Sequence, residues 1–208
     1  DSANACDSYD DSPFKAVYQN VMADVNKLAS SAKTPAWVVT HRPIWGVEGY
    51  DPKTSTGCTG QNKYGCISQM LQDAIKAQPG QSLSDQIKLV LTGHMHKFES
   101  VTFPGSSRPP ALIVGSSGVE LSASGPYQAQ TNIDGKAATV LSTNTNIILD
   151  NQKQPAFGFM SLQLNQSSGW TGQLLNTTGT TIVNCSSQQN LAQGVCELAP
   201  NVKIPSTM

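Results

Sequence analysis

The stretch that decides the fold is residues 87–96, which read IKLVLTGHMH. Its first six residues form a short apolar run, which predicts a buried strand. The strand ends at Gly93 and leads directly into His94 and His96. In open α/β sheets ligands collect outside the carboxyl ends of the strands, so these histidines are placed where a functional site is expected.

Two further predicted strands share this pattern of an apolar run followed by a polar loop. Residues 36–40 (AWVVT) lead into His41, and residues 111–114 (ALIV) lead into a glycine-containing loop at 115–118. Short apolar runs bounded by turn residues are typical of buried strands. We therefore expect three strands to deliver polar loops to one edge of a sheet.

Helices are predicted before these strands. From Phe14 to about Ser30 the apolar residues recur at intervals of three and four, which indicates an amphipathic helix. A second helix is predicted over about 67–77, after a long polar loop at 46–65. Helices alternating with strands at this spacing favour a layered α/β architecture.

Beyond Gly118 the pattern changes to short alternating runs. Those at 157–164, 170–175 and 180–183 are typical of an antiparallel meander, which would complete a second sheet. The last dozen residues are predicted to form a surface tail.

Length and composition bound the class of protein. The 208 residues are enough for one domain over 1–208, with a motif-bearing α/β part over 1–120 and a β-rich part with the tail over 121–208. A formal net charge of -1 gives no basic surface for nucleic acid or anionic lipid. No run approaches the ~20 apolar residues of a membrane-spanning helix, so we expect a soluble chain.

The five cysteines form two close pairs, Cys58 with Cys66 and Cys185 with Cys196, and leave Cys6 alone. Neither pair has the Cys-x-x-Cys spacing of a zinc or redox motif. Such clustering in polar loops predicts disulfides and an oxidising compartment, so we expect a secreted or periplasmic protein.

The three histidines are candidate metal ligands. Gly93 gives the backbone the freedom to turn, so that His94 and His96 can diverge and each bind a different ion of a pair about 3.5–4 Å apart. His41, at another strand end, is the candidate third ligand. One histidine at a strand end is usually an ordinary loop residue; the joint pattern favours ligands.

Residues 38–45 (VVTHRPIW) and 91–99 (LTGHMHKFE) resemble the last two motifs of the calcineurin-like metallophosphoesterases. Gly-His-x-His followed by an aromatic residue and a glutamate is similar to the purple acid phosphatase branch in particular. The resemblance covers about residues 1–120. It implies a layered α/β-β/α sandwich, phosphate ester substrates, and two transition metal ions such as Zn, Fe or Mn.

The resemblance also implies a role for each histidine. His41 and His94 would bind one ion of the pair, and His96 would bind the other. Arg42 would contact the substrate phosphate through its guanidinium, or would cap its loop and face solvent; the two readings are equally open.

Three neighbouring residues have alternative readings of their own. Glu99 would orient a neighbouring histidine, or would be an ordinary surface charge. Trp45 and Tyr50 could line the mouth of a pocket, although loop aromatics more often anchor the loop on the core.

The family also has Asp-x-His, Gly-Asp-x-x-Asp and Gly-Asn-His-Asp/Glu motifs, and none of these is present here. The Asp-x-x-Asp spacing of Asp7 and Asp10 lacks the preceding strand and glycine, so it is not predicted to bind metal. We therefore expect this chain to be the C-terminal part of the fold and to hold half of a binuclear site. A fragment or chain carrying the N-terminal half would complete it, with Cys6 as the candidate for a disulfide to that partner.

The sequence thus predicts a metal-dependent phosphoric ester hydrolase that needs the missing half for activity. The alternative is a binding or structural module that keeps the metallophosphoesterase fold without the chemistry. A single structural zinc held by the histidines alone is less favoured, since closed zinc sites use four ligands and often cysteine.

Overall fold

The computed structural model describes residues 14–32, 34–47, 69–118, 120–122, 127–144, 146–165, 169–187 and 195–205. The predictions made for residues 6, 7, 10, 50, 58 and 66, and for most of the loop at 46–65, lie outside these ranges. Within them the protein is a mixed α/β structure made mostly of sheet, as the α/β prediction expects at this coarse level.

The helices and strands of the first part of the chain follow one another closely. They are α1 (Lys15–Ser31), β1 (Ala36–Thr40), α2 (Gln69–Lys76), a 3-10 turn at Pro79–Gln81, β2 (Ile87–Thr92), β3 (Phe98–Thr102), β4 (Ala111–Val114), β5 (Tyr127–Ile133) and β6 (Lys136–Thr143). The predictions of α1, β1, β2 and β4 are confirmed, and α2 lies within its predicted range.

The rest of the described chain is β-structure. Its strands are β7 (Ile147–Leu149), β8 (Gln152–Gln154), β9 (Gly158–Asn165), β10 (Gly169–Asn176), β11 (Thr181–Ser186), β12 (Cys196–Leu198) and β13 (Val202–Lys203). Strands β9, β10 and β11 form the predicted antiparallel meander, and β12 joins it as a fourth strand that was not predicted. Strands β7, β8 and β13 form a small third sheet.

Among the described residues the main sheet has six strands in the order β1-β2-β4-β3-β6-β5. β1, β2 and β4 are parallel, and the other three join them in antiparallel pairings. Because the carboxyl ends of parallel strands meet at one edge, the loops that follow β1, β2 and β4 start side by side.

Alternate side chains of the main sheet enter two different cores, as the period of two in a strand requires. On one face Val90 and Val140 pack with Met22 of α1 and Ile75 of α2. On the other face the β9–β12 sheet covers the strands. The described part of the chain is therefore built in three layers, with helices on the main sheet and the main sheet on a second sheet.

The second sheet holds the core on the far face of the main sheet. Leu89 and Phe98 of the main sheet share a cluster with Trp170 and Leu174. Cys185 and Cys196 lie opposite each other on β11 and β12 and form a disulfide, which confirms that predicted pair.

The end of the chain corrects one prediction. The last dozen residues were expected to form a surface tail, but β13 pairs with β7, and Val202 is only 5% exposed. Pro200 lies in the turn between β12 and β13, where it costs no ladder hydrogen bond. Pro200 thus marks a turn within the fold.

The hairpin of β5 and β6 also departs from expectation. It extends the main sheet, whereas the sequence after Gly118 was assigned to the second one. Asp134 and Gly135 connect the two strands, both with positive φ, of 51° and 73°. Asp-Gly is a strong hairpin signal, so this turn could have been found from sequence.

Neither helix in the described ranges is long and apolar enough to cross a membrane.

The turn residue Asp134 also joins three elements. Its carboxylate accepts a hydrogen bond from Arg108 at 3.1 Å and pairs with Lys76 of α2. The Asp134 side chain is only 5% exposed. Burial lowers the pKa of Lys76, but its pairs with Asp134 and Asp73 outweigh that effect and raise the pKa above its ordinary value.

Asp134→Asn should lower the free energy of unfolding by about 1–2 kcal/mol, because it removes the carboxylate partner of Arg108 and one of the two carboxylate partners of Lys76, whose side chain is 45% exposed. A raised pKa means that the Lys76 pair stabilises the fold at pH below 10.5 and that this contribution is lost at higher pH. A rise in pH above 10.5 should therefore lower the free energy of unfolding less in the variant than in the parent. Urea unfolding from pH 7 to 11 measures this difference.

Asp150→Asn is the matched control, because Asp150 also has a positive φ, of 50°, but is exposed and bonded to an asparagine. Equal losses in the two variants would contradict the ion-pair explanation.

Candidate metal centre

Strand pairing brings His41 and His94 to the same edge of the main sheet. Thr40 lies opposite Thr92 in the parallel pairing of β1 and β2. The next residues continue the ladder, since the backbone N–H of Gly93 donates to the carbonyl of His41 at 3.3 Å. The two histidines therefore follow neighbouring strands and start from adjacent positions.

A tight turn then directs the His94 ring towards His41. The N–H of Met95 donates to the carbonyl of Gly93 at 2.8 Å, with His94 between them at φ +67°. A second three-residue turn comes immediately after it, in which the N–H of Lys97 donates to the carbonyl of Met95 at 2.8 Å. A residue other than glycine at positive φ costs about 1–2 kcal/mol, so the backbone of His94 is strained in this turn.

The turn places Nδ1 of His94 3.0 Å from Nε2 of His41. The ring centroids are 4.9 Å apart and the planes meet at 77°. Both side chains are exposed. In the absence of an ion one nitrogen can donate a hydrogen to the other, which requires opposite roles for the two atoms.

The same two nitrogens fit one transition metal ion. Imidazole nitrogens bind zinc at about 2.0–2.1 Å, so two ligands at 90–110° lie about 2.9–3.4 Å apart. The observed 3.0 Å falls in this interval. The pair can therefore supply two neighbouring corners of a coordination sphere without a change of backbone.

His96 lies apart from this pair in its contacts. Its side chain is 46% exposed, and its Nδ1 lies 3.8 Å from a carboxylate oxygen of Glu120. Among the described residues no three histidine, cysteine or acidic side chains are grouped to hold a metal ion. The structure thus brings together two of the three predicted ligands, and the assignment of His96 to a second ion stays a prediction.

Arg42 is half-buried in the turn after β1. Its carbonyl accepts a hydrogen bond from Oγ1 of Thr40 at 2.9 Å, which fixes the backbone just beyond His41. Contact between its guanidinium and a substrate phosphate stays a prediction.

Trp45 anchors its loop on the core, as expected for a loop aromatic. The side chain is 2% exposed and packs edge-on against Phe103, with centroids 5.3 Å apart. The guanidinium of Arg108 lies 4.9 Å from the Trp45 ring. Trp45 is therefore not a lining residue of a pocket mouth.

The reading of Glu99 as a surface charge is wrong, and its bonds among the described residues go to groups other than a histidine. Its side chain is fully buried and binds Lys97 Nζ, the Tyr127 hydroxyl and the N–H of Val47, each at 2.7 Å. This cluster was missed from sequence. The only signal was the spacing of two between Lys97 and Glu99, which would put both side chains on one face of an extended segment.

Gly115, at the end of β4, allows the histidine turn to lie where it does. A Cβ on Gly115 would lie 1.7 Å from the carbonyl oxygen of Met95, and the Gly115 N–H donates to the carbonyl of Lys97 at 3.0 Å. The side chain of Met95 is buried against Ile113 of the same strand. Strand β4 and Gly115 thus pack against the histidine turn.

Comparison with known proteins identifies no family for this chain. No protein-family model matches it, and no curated protein matches it either. The resemblance to metallophosphoesterases therefore rests on the two histidine motifs.

Gly115→Ala should lower the free energy of unfolding by about 3 kcal/mol or more, since a backbone oxygen occupies the space that the methyl group needs. Urea unfolding measures the loss. Gly118→Ala is the matched control, because a Cβ there meets only an ordinary contact at 3.8 Å. A loss at position 115 no larger than the loss at 118 would contradict the close packing.

The strain at His94 predicts an unusual order of stabilities. His94→Gly and His94→Ala remove the same ring, but only glycine accepts a φ of +67° without strain. The glycine variant should therefore be more stable than the alanine variant by about 1 kcal/mol in urea unfolding.

At His96, which is not among the residues with positive φ, the order should be reversed. The same pair of substitutions there is the control. If alanine is the better residue at both positions, the turn at His94 is not strained.

Proposed function

We propose that this chain carries half of the binuclear site of a metal-dependent phosphoric ester hydrolase of the calcineurin-like type, close to the purple acid phosphatase branch. The observation that carries the proposal is the 3.0 Å separation of the His41 and His94 nitrogens. Each histidine belongs to one of the two motifs that resemble the family. Their separation is the one expected of two ligands of a single ion.

In this proposal His41 and His94 hold one Zn, Fe or Mn ion and His96 contributes to a second. When bound, the ions neutralise the charge that develops on a phosphate ester as it is hydrolysed. Arg42 binds phosphate oxygens through its planar fork of donors. The backbone at Gly93 and Thr40 keeps the two strand ends in place while substrate binds.

The remaining ligands would come from an N-terminal part of the fold. Support comes from β1, which lies at one end of the main sheet and pairs there with β2 alone among the described strands. Val39 on β1 is an exposed apolar side chain, at 72%. A further parallel strand beside β1 would end next to His41.

We further propose that the complete fold is a metallophosphoesterase-type sandwich and that the protein is secreted or periplasmic. The disulfide between Cys185 and Cys196 supports an oxidising compartment. Cys6 is the candidate link to the N-terminal part. A non-reduced mass of the native material tests for that second chain.

The second candidate is a binding or structural module that keeps the fold without catalysis. The observation in its favour is that no third potential ligand joins the histidine pair within the described ranges. The two candidates differ in metal content, since only the hydrolase requires a stoichiometric pair of ions in the complete protein.

The chain of 208 residues should not hydrolyse an aryl phosphate by itself, because half a ligand set holds its ions weakly. The complete protein should contain two transition ions and hydrolyse p-nitrophenyl phosphate. His94→Ala should lower kcat/KM at least about a hundredfold, since even residues that only orient metal ligands cost 10–100-fold.

Lys153→Ala, at an exposed position of β8, is the control and should leave kcat/KM unchanged. Full activity and full metal content in His94→Ala would refute the ligand assignment. A complete protein without bound ions would favour the module.

A further inference from the structure

A buried charged cluster lies behind the histidine turn. The ammonium of Lys97 and the carboxylate of Glu99 are 2.7 Å apart, and both side chains are completely buried. The hydroxyl of Tyr127, from β5, donates to the same carboxylate at 2.7 Å and lies 3.3 Å from the ammonium. The ammonium, the carboxylate and the hydroxyl thus all have partners inside the protein.

The cluster binds both peptide groups of Val47. The N–H of Val47 donates to Oε1 of Glu99 at 2.7 Å. Its carbonyl accepts from Nζ of Lys97 and lies 3.0 Å from the Tyr127 hydroxyl. Residues 43–47 are all buried and lead back to His41. The cluster therefore fixes Val47 in the segment that follows β1, and we call the described residues 41–47 of that segment the His41 loop.

The same cluster is continuous with the histidine turn (residues 93–97). Lys97 is the last residue of that turn, and its N–H and carbonyl bond to Met95 and Gly115. The Lys97 side chain then reaches across to Val47. One residue thus connects the two segments whose histidines meet at 3.0 Å.

A buried ion pair is a poor way to gain stability. The desolvation of two charges offsets most of their attraction, and apolar residues of similar volume are often as stable or more stable. Stability alone therefore does not explain a lysine and a glutamate at this position. The hydrogen bonds to both peptide groups of Val47 offer a geometric reason. Apolar side chains make no directional bonds, so they would not fix the orientation of that backbone.

We propose that Lys97, Glu99 and Tyr127 are positioning residues for the metal site. They hold the His41 loop against the histidine turn so that the two imidazole nitrogens lie at the separation a single ion requires. The inference rests on the proposed function for the ion itself. The relation between the two loops rests on the contacts of Lys97, Glu99 and Tyr127 with Val47.

The decisive variant is Tyr127→Phe, which keeps the ring and deletes the hydroxyl. Two measurements are made on the 208-residue chain: the NMR contact between the His41 and His94 rings without metal, and the Kd for Zn²⁺. The variant should weaken the ring contact and raise the Kd about tenfold, as residues that orient ligands do. The Tm should fall only about 2–4 °C.

Thr178→Val is the matched control. It also deletes one hydroxyl, which donates to Asn176 at 2.8 Å in the turn between β10 and β11, away from the cluster. It should leave both the ring contact and the Kd unchanged. An equal effect of the two variants on the Kd would show that general destabilisation is the cause and would overturn the inference.

A second variant removes the charges together, Lys97→Met with Glu99→Gln, which avoids leaving one charge alone. If it folds, its Tm should stay within about 4 °C of the parent and its Kd for Zn²⁺ should rise at least tenfold. A parent-like Kd would overturn the inference. If it does not fold, Tyr127→Phe decides the matter.

The two proposals fail in different ways. A parent chain that shows the ring contact but no binding of Zn²⁺ contradicts the proposed function, and the inference is then judged by the ring contact in Tyr127→Phe. Zn²⁺ binding that is lost in His41→Ala yet unchanged in Tyr127→Phe supports the metal site and rejects the positioning role.

Discussion

The structure depends first on the parallel pairing of β1 with β2. The register sets Thr40 opposite Thr92, so His41 and Gly93 are the next neighbours. The two histidine motifs therefore begin at one point of the sheet edge, although His41 and His94 are 53 residues apart in sequence. An antiparallel pairing would have sent the loops to opposite edges. The chemistry of the site therefore begins in backbone geometry, and the side chains complete it.

Several independent constraints hold the two loops beyond this strand pair. His94 keeps a positive φ, Gly115 leaves room for the carbonyl of Met95, and Lys97 binds the backbone of Val47. Each of these costs conformational freedom or solvation, and each acts on the few residues that connect the two strand ends. Strain persists in a fold only when its surroundings over-determine it, and here β4 and the buried cluster do so.

Sequence predicted the parts of this fold that local patterns specify. The apolar runs predicted β1, β2 and β4 and an edge that receives their polar loops, whereas the pairing of His41 with His94 was implied only by the family resemblance. It did not predict the burial of Glu99, because a charged residue is normally exposed and its partners come from 28 and 52 residues away. Strand β5 was missed because its sequence is mostly polar. It lies at the edge of the main sheet, where only some of its side chains are buried.

The cost of the histidine turn bears on the choice between an enzyme and an inert module. A module that needed only the fold would be more stable with glycine or asparagine at position 94, because those residues accept positive φ. It would also be as stable with an apolar cluster in place of Lys97 and Glu99. Stability is commonly given up where a site must be held in a particular geometry. A strained imidazole 3.0 Å from a second imidazole, backed by a buried ion pair, is the combination that supports the proposed metal site.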